Sequence, residues 1–226
     1  MERARIILIL MALLGPTLFG RATGAFSAPY GVTVRELIPL ANWQKQFKIT
    51  DGKDRGRLVP LTFQNGTREG WSLSFGDYAG VHLRNDATGA LMLERLDLFK
   101  SRSFIVYEPA LPILARDIGS GIAILRQANF KMYDRDTGKL KRTGQASHLV
   151  KRVSRSQFET PAGLIDGYYI EIEHRMDMQF AQLHMSLGLG CRLDEGPVYG
   201  SGRYTLRKLG IFSETKTAAA ALAIRQ

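Results

Sequence analysis

Short runs of alternating apolar and polar residues, each closed by a glycine, proline or Asx turn, constrain this 226-residue chain most strongly. Alternation with a period of two puts apolar side chains on one face of a strand. Trp71-Ser72-Leu73-Ser74-Phe75 has this pattern, and Val81 to Arg84 continues it after a turn. Asn85 to Gly89 reads as the next turn, with Leu91 and Leu93 opening the returning strand. The inward set then moves to Leu96 and Leu98, and a shift from odd to even positions predicts a β-bulge near Glu94-Arg95. Further strands are expected at Phe104–Tyr107, Ile122–Tyr133, 141–158, Tyr168–His174, Phe180–Leu187 and Arg203–Leu209. Glu108-Pro109-Ala110-Leu111-Pro112 reads as a loop running on to Gly119-Ser120-Gly121, because proline is kept out of central strands.

The expected fold is all-β and mainly antiparallel: a curved sheet, half-barrel or barrel-like, with little helix. A helix beginning at Val34 would meet Pro39, and the alanine-rich Thr217–Gln226 reads as a frayed helix or a disordered tail. The chain is long enough to bury a core without metals or disulfides.

The first residues read as an address. Arg3 and Arg5 precede the apolar run Ile6–Leu14, which Gly15-Pro16 breaks before small residues around Ala25 and Ser27. That order describes a secretory signal peptide, with cleavage after Ala25 or Ser27. The alternative is an uncleaved anchor, for which the run is short. The expected organisation is therefore a signal peptide at 1–27, one β-sheet domain at 28–213 and a flexible or helical tail at 214–226. No cysteine lies near the cleavage region, so the expected location is periplasmic or envelope-associated, without a lipoprotein anchor. Without Glu2, Arg3, Arg5 and Arg21 the chain keeps +8 of its +10 net charge. In an exported protein such charge suits an anionic membrane surface, a polysaccharide or an envelope protein rather than nucleic acid, and the plainer alternative is a solvated basic surface.

Four patches, taken in order, resemble a type of bacterial exported protein. Leu37-Ile38-Pro39-Leu40 with Asn42-Trp43 is similar to a "PL…G-x-W" opening, with Ala41 where a glycine would stand nearby. Tyr107 to Leu114 resembles a proline-rich crossing into a strand. Glu159-Thr160-Pro161-Ala162-Gly163-Leu164-Ile165-Asp166 is similar to a "T-P-A-G-T-F" turn. Ser186-Leu187-Gly188-Leu189-Gly190-Cys191-Arg192 resembles a "P-G-V-G-L-V" element before a last strand. The resemblance implies a curved antiparallel sheet similar to the half-barrels of lipoprotein-localisation factors. It carries over no catalytic residues.

The residues themselves offer little chemistry. His82, His148, His174 and His184 have no metal-ligand spacing, so neither metal nor cofactor is expected. His174, His184 and Asp177 could meet across a hairpin, the minimum for a minor hydrolase reading. Glu171 and Glu173 share a strand face and read as a solvated face. The sole cysteine, Cys191, reads as a buried structural thiol.

The leading expectation is a non-enzymatic envelope protein holding a lipid or other apolar ligand on the concave sheet face. Leu73, Phe75, Phe130, Met132, Ile170, Ile172, Tyr204 and Leu206 are the candidate ligand-binding residues. The alternative is a structural or interaction protein of the envelope whose core is filled.

Overall fold

A computed structural model describes residues 32–66, 70–114, 124–193, 195–209 and 211–222. The expected signal peptide and residues 28–31 lie outside the described residues. A short helix, α1 (Val34–Leu37), precedes twelve strands: β1 (Trp43–Asp51), β2 (Leu58–Asn65), β3 (Gly70–Phe75), β4 (Ala79–Asn85), β5 (Leu91–Leu98), β6 (Ser103–Leu114), β7 (Ile124–Asp134), β8 (Leu140–Thr160), β9 (Gly163–Met178), β10 (Ala181–Arg192), β11 (Gly196–Lys208) and β12 (Ile211–Ala221). Each strand pairs antiparallel with its sequence neighbours, and β1 pairs with β12, so the sheet is a closed barrel.

Alternation sorts the side chains. On β9, Ile170, Ile172, His174 and Met176 point inward and are buried, while Glu171, Glu173 and Arg175 point out. Apolar inside and charged outside is the reverse of a membrane-spanning barrel, whose lipid-facing band is apolar. Eight strands enclose about as much space as ordinary side chains fill. Twelve enclose more, and the aromatic rings of Phe47, Phe63, Phe75 and Phe130, all fully buried, occupy much of it.

The turns follow their chemistry. Asp86 Oδ1 accepts from the amides of Thr88 and Ala90, and Asp134 Oδ1 from those of Asp136 and Thr137. Pro161-Ala162 closes the β8–β9 hairpin, with Gly163 at φ 111° and Thr160 Oγ1 donating to the Gly163 carbonyl. The bulge falls at Glu94, where the β5–β6 register shifts between Leu93 and Arg95.

Three expectations are corrected. The proline-rich segment is strand, not loop: β6 runs through Pro109 and Pro112 to Leu114. The reason is one-sided pairing. The β6–β7 ladder ends at Glu108↔Asn129, and beyond it β6 pairs with β5 through Leu111, Pro112 and Leu114. Proline is tolerated where a strand has lost a neighbour. The domain does not end at 213, and the alanine-rich tail is the barrel-closing strand β12. Ala219 and Ala221 pair with Ile49 and Phe47 and face the interior, Ala218 and Ala220 face outward, and all four are buried. A strand covered on both faces needs small side chains. The Gly188/Gly190 element precedes two further strands, β11 and β12, rather than one.

The barrel has two rims. At the first, where β1 begins, the segment before it packs in: Leu37 is fully buried, Pro39 lies against Gly196, and Trp43 Nε1 donates to the Pro39 carbonyl at 2.9 Å. The second rim, where β1 ends, is built from hairpin turns.

Candidate functional site

All eight candidate ligand-binding residues face the interior. Phe75, Phe130, Met132, Ile170, Ile172 and Tyr204 are buried in the core cluster, with Leu73 and Leu206 partly buried against it. They touch the rest of the core as packing residues.

Among them sits a polar pair. His148 on β8 and His174 on β9 are cross-strand neighbours, both inward and buried. Their Nδ1 atoms are 3.3 Å apart, and His148 Nε2 lies 2.9 Å from the Ile113 carbonyl oxygen. That bond crosses from β8 to β6 beyond the end of the β6–β7 ladder, tying the wall where β7 does not. Burial pushes His148 down to about 4 and His174 to about 3, with mutual repulsion adding to the second, so both are neutral at pH 7. Nearby, the Tyr107 ring packs edge-on to His174 at 6.5 Å between centroids. Tyr107 Oη and His174 Nε2 are both buried without a hydrogen-bond partner. Burial also raises the Tyr107 phenol well above its usual range. Only a register could have revealed this pair from the sequence, since the two histidines are 26 residues apart.

The His174–His184–Asp177 constellation does not assemble. The β9–β10 turn at Gln179-Phe180 pairs His184 with Arg175, so His184 faces outward, 3.9 Å from Glu173, while His174 faces inward. Glu173 and Glu171 face outward in ion pairs with Lys151 at 3.0 Å and Arg152 at 3.3 Å. Cys191 is fully buried, and burial raises its thiol to about 12. Among the described residues, no group of three metal-ligating side chains converges.

Among the described residues, an apolar cluster stands exposed at the second rim. Phe180 and Leu209 occupy the β9–β10 and β11–β12 turns with φ of 64° and 48°, and Leu209 N donates to Phe180 O. With Ile211 and Phe212 they line an open groove of about 700 Å3. A second groove of about 530 Å3 shares Gln182, Arg207 and Phe212 with it and runs over the outer face toward Leu149 and Leu125.

Fold and surface define the class: a twelve-stranded antiparallel barrel with an apolar interior and a charged exterior. No protein-family model matches the chain, and no curated protein is significantly similar to it. Two solved structures align along most of their length. A candidate lipoprotein from Parabacteroides distasonis is 11% identical with a TM-score of 0.39, the alignment covering 86% of this chain and 100% of that one. The hypothetical lipoprotein YmcC from Escherichia coli is 8% identical with a TM-score of 0.36, covering 84% and 87%. These scores and identities are too low for either likeness to carry an argument about this chain.

Proposed function

We propose that the chain is a non-enzymatic cell-envelope protein that acts through its outer surface, with its barrel interior serving as core. The observation that carries this reading is the state of the eight inward candidates. Six are buried among Phe47, Phe63 and their neighbours, and the remaining two pack against the same cluster. Export is supported by the Arg3/Arg5 and Ile6–Leu14 pattern. The absence of chemistry is supported by the separation of His174 from His184, and by the solvent-side pairing of Glu171 and Glu173.

A titration with a monomeric fluorescent fatty acid tests it. No saturable binding is expected. Saturable binding that persists in a Phe180→Asn variant, and so does not arise at the outer groove, would contradict the reading.

One observation favours a second reading, a polar-headed apolar ligand inside the barrel. Tyr107 Oη and His174 Nε2 are buried and unpartnered close to where β6 and β7 part. An unmet buried polar group costs about 1–3 kcal/mol, and a ligand hydroxyl could satisfy both. Loss of that fatty-acid binding in a Tyr107→Phe variant would identify this site.

A further inference from the structure

The geometry points to the second rim as a docking surface for an anionic lipid bilayer, entered by the β9–β10 and β11–β12 hairpins. This names a partner for the surface-acting reading above and rests on it.

The first observation is exposure. Phe180, Leu209, Ile211 and Phe212 are 68%, 73%, 63% and 57% exposed, side by side at one end of the barrel. Large apolar side chains scattered singly over a surface need no explanation, but a contiguous cluster marks an interaction site. Two of the four sit at turn positions with positive φ, where glycine or asparagine is the relaxed choice. The turns therefore present bulky apolar groups where turn chemistry alone would select small or polar ones.

The second observation is charge, and it is independent of the first. Arg207 and Lys208 immediately precede Leu209, and the Arg142 guanidinium reaches Met178 beside the same turns. The other connections at this rim are residues 52–57, 76–78, 99–102 and 135–139. They carry seven lysines and arginines against three aspartates. At the first rim, the described connecting residues include Asp86 and Glu195 and no lysine or arginine. Among the described residues, the connections at the second rim are therefore net basic and those at the first net acidic, and the apolar tips stand at the basic end.

The combination selects the partner. Basic residues near a membrane are each worth about 1 kcal/mol on an anionic leaflet, and apolar side chains add by burial between the headgroups. A polysaccharide would use the charge but not Leu209 and Ile211, which offer no flat ring to a sugar. A second copy of the chain would set two basic rims against each other. At the first rim Leu37 and Pro39 pack against the barrel, whereas Phe180, Leu209, Ile211 and Phe212 are exposed at the second.

The test is co-sedimentation of the full chain with vesicles of phosphatidylcholine alone or with one-third phosphatidylglycerol. Phe180→Asn/Leu209→Gly is the principal variant, since both replacements suit positive φ and keep the turns. Arg207→Gln/Lys208→Gln tests the charge, and Phe180→Trp reports insertion. The expected results are at least tenfold tighter binding to the anionic vesicles and at least a tenfold loss in the apolar-tip variant at unchanged circular dichroism. The charge variant should bind more weakly, and in Phe180→Trp the emission of the introduced indole should shift to the blue. Lack of binding, equal binding to neutral vesicles, equal binding by the apolar-tip variant, or a solution dimer that this variant abolishes would overturn the proposal. None of those outcomes touches the filled-core reading, which the fatty-acid titration decides.

Discussion

His148 and His174 face each other inside the barrel with their Nδ1 atoms 3.3 Å apart, and this contact fixes both tautomers. The Ile113 carbonyl can only accept, so His148 Nε2 carries the proton and donates to it at 2.9 Å. Neutral His148 then has a lone pair on Nδ1, and His174 Nδ1–H must donate to it. His174 Nε2 is left as an acceptor with no donor. Nitrogen-15 NMR at pH 7 should show an Nε2–H tautomer for His148 and an Nδ1–H tautomer for His174.

The same pair makes stability depend on pH. Burial depresses both folded-state values below the ordinary histidine value near 6.5, so the unfolded chain binds more protons as the medium becomes acidic. The contribution is complete above about pH 6.5 and is lost as the pH falls from there through about 4 and about 3. The melting temperature should be level near neutrality with respect to these groups and fall through that window. A His148→Gln/His174→Leu variant should start lower and show a shallower acid slope than the wild type.

Two outward glycines separate backbone clashes from side-chain clashes. A Cβ on Gly167 would stand 2.4 Å from the Cys191 carbonyl oxygen, fixed in the β9–β10 ladder. One on Gly188 would stand 1.9 Å from Tyr169 Oη, the far end of a side chain that can swing outward. Overpacking costs about 1–3 kcal/mol. Gly167→Ala should fall at the upper end of that range and Gly188→Ala at the lower, by denaturant titration. Gly167 and Gly190, whose absent side chains would meet the Phe158 ring, let Phe158 reach across β9 and β10 to stack on Tyr199, with centroids 5.6 Å apart.

Relieving the strained turns should raise stability while removing the docking tips. An L-residue in the left-handed region costs about 1–2 kcal/mol relative to one that adopts it freely. Leu209→Gly should therefore stabilise by about 0.5–1 kcal/mol, because glycine's greater freedom in the unfolded chain offsets part of the gain. A lower urea midpoint for this variant would mean that Leu209 holds the hairpin by contacts its exposure does not suggest.

Removing residues 214–226 should abolish folding rather than trim a tail. β12 supplies both ladders that join β11 to β1, and its loss opens the barrel and exposes Phe47 and Ile49. A truncated chain that keeps a cooperative melting transition would contradict this.

Much of the strand pattern was legible because alternation and turn chemistry act over a few residues. Leu93 to Leu96 announced the bulge, and Thr160 to Gly163 announced the hairpin, since each answers to local geometry. All eight inward candidates were placed on the right face for the same reason. What failed depended on partners distant in sequence. Pro109 and Pro112 are strand residues because β7 has departed from β6 there. Ala218 to Ala221 are a strand because β1 lies beside them, about 170 residues earlier in the chain. The histidine pair required a β8–β9 register that includes a shift between Val150 and Arg152. The second rim was not legible in the sequence, because Phe180 and Leu209 stand at the ends of expected strands and their place at turn tips depends on where each hairpin closes.

Native mass spectrometry of the full chain, isolated from the envelope under conditions that preserve non-covalent lipid complexes, tests most directly whether the barrel interior is core or binding site. The account predicts a folded protein at its polypeptide mass, with any lipid lost at low collision energy and absent from the Phe180→Asn/Leu209→Gly variant. A one-to-one lipid adduct that resists activation and persists in that variant would place a ligand among Phe75, Phe130 and Ile170, and would contradict it.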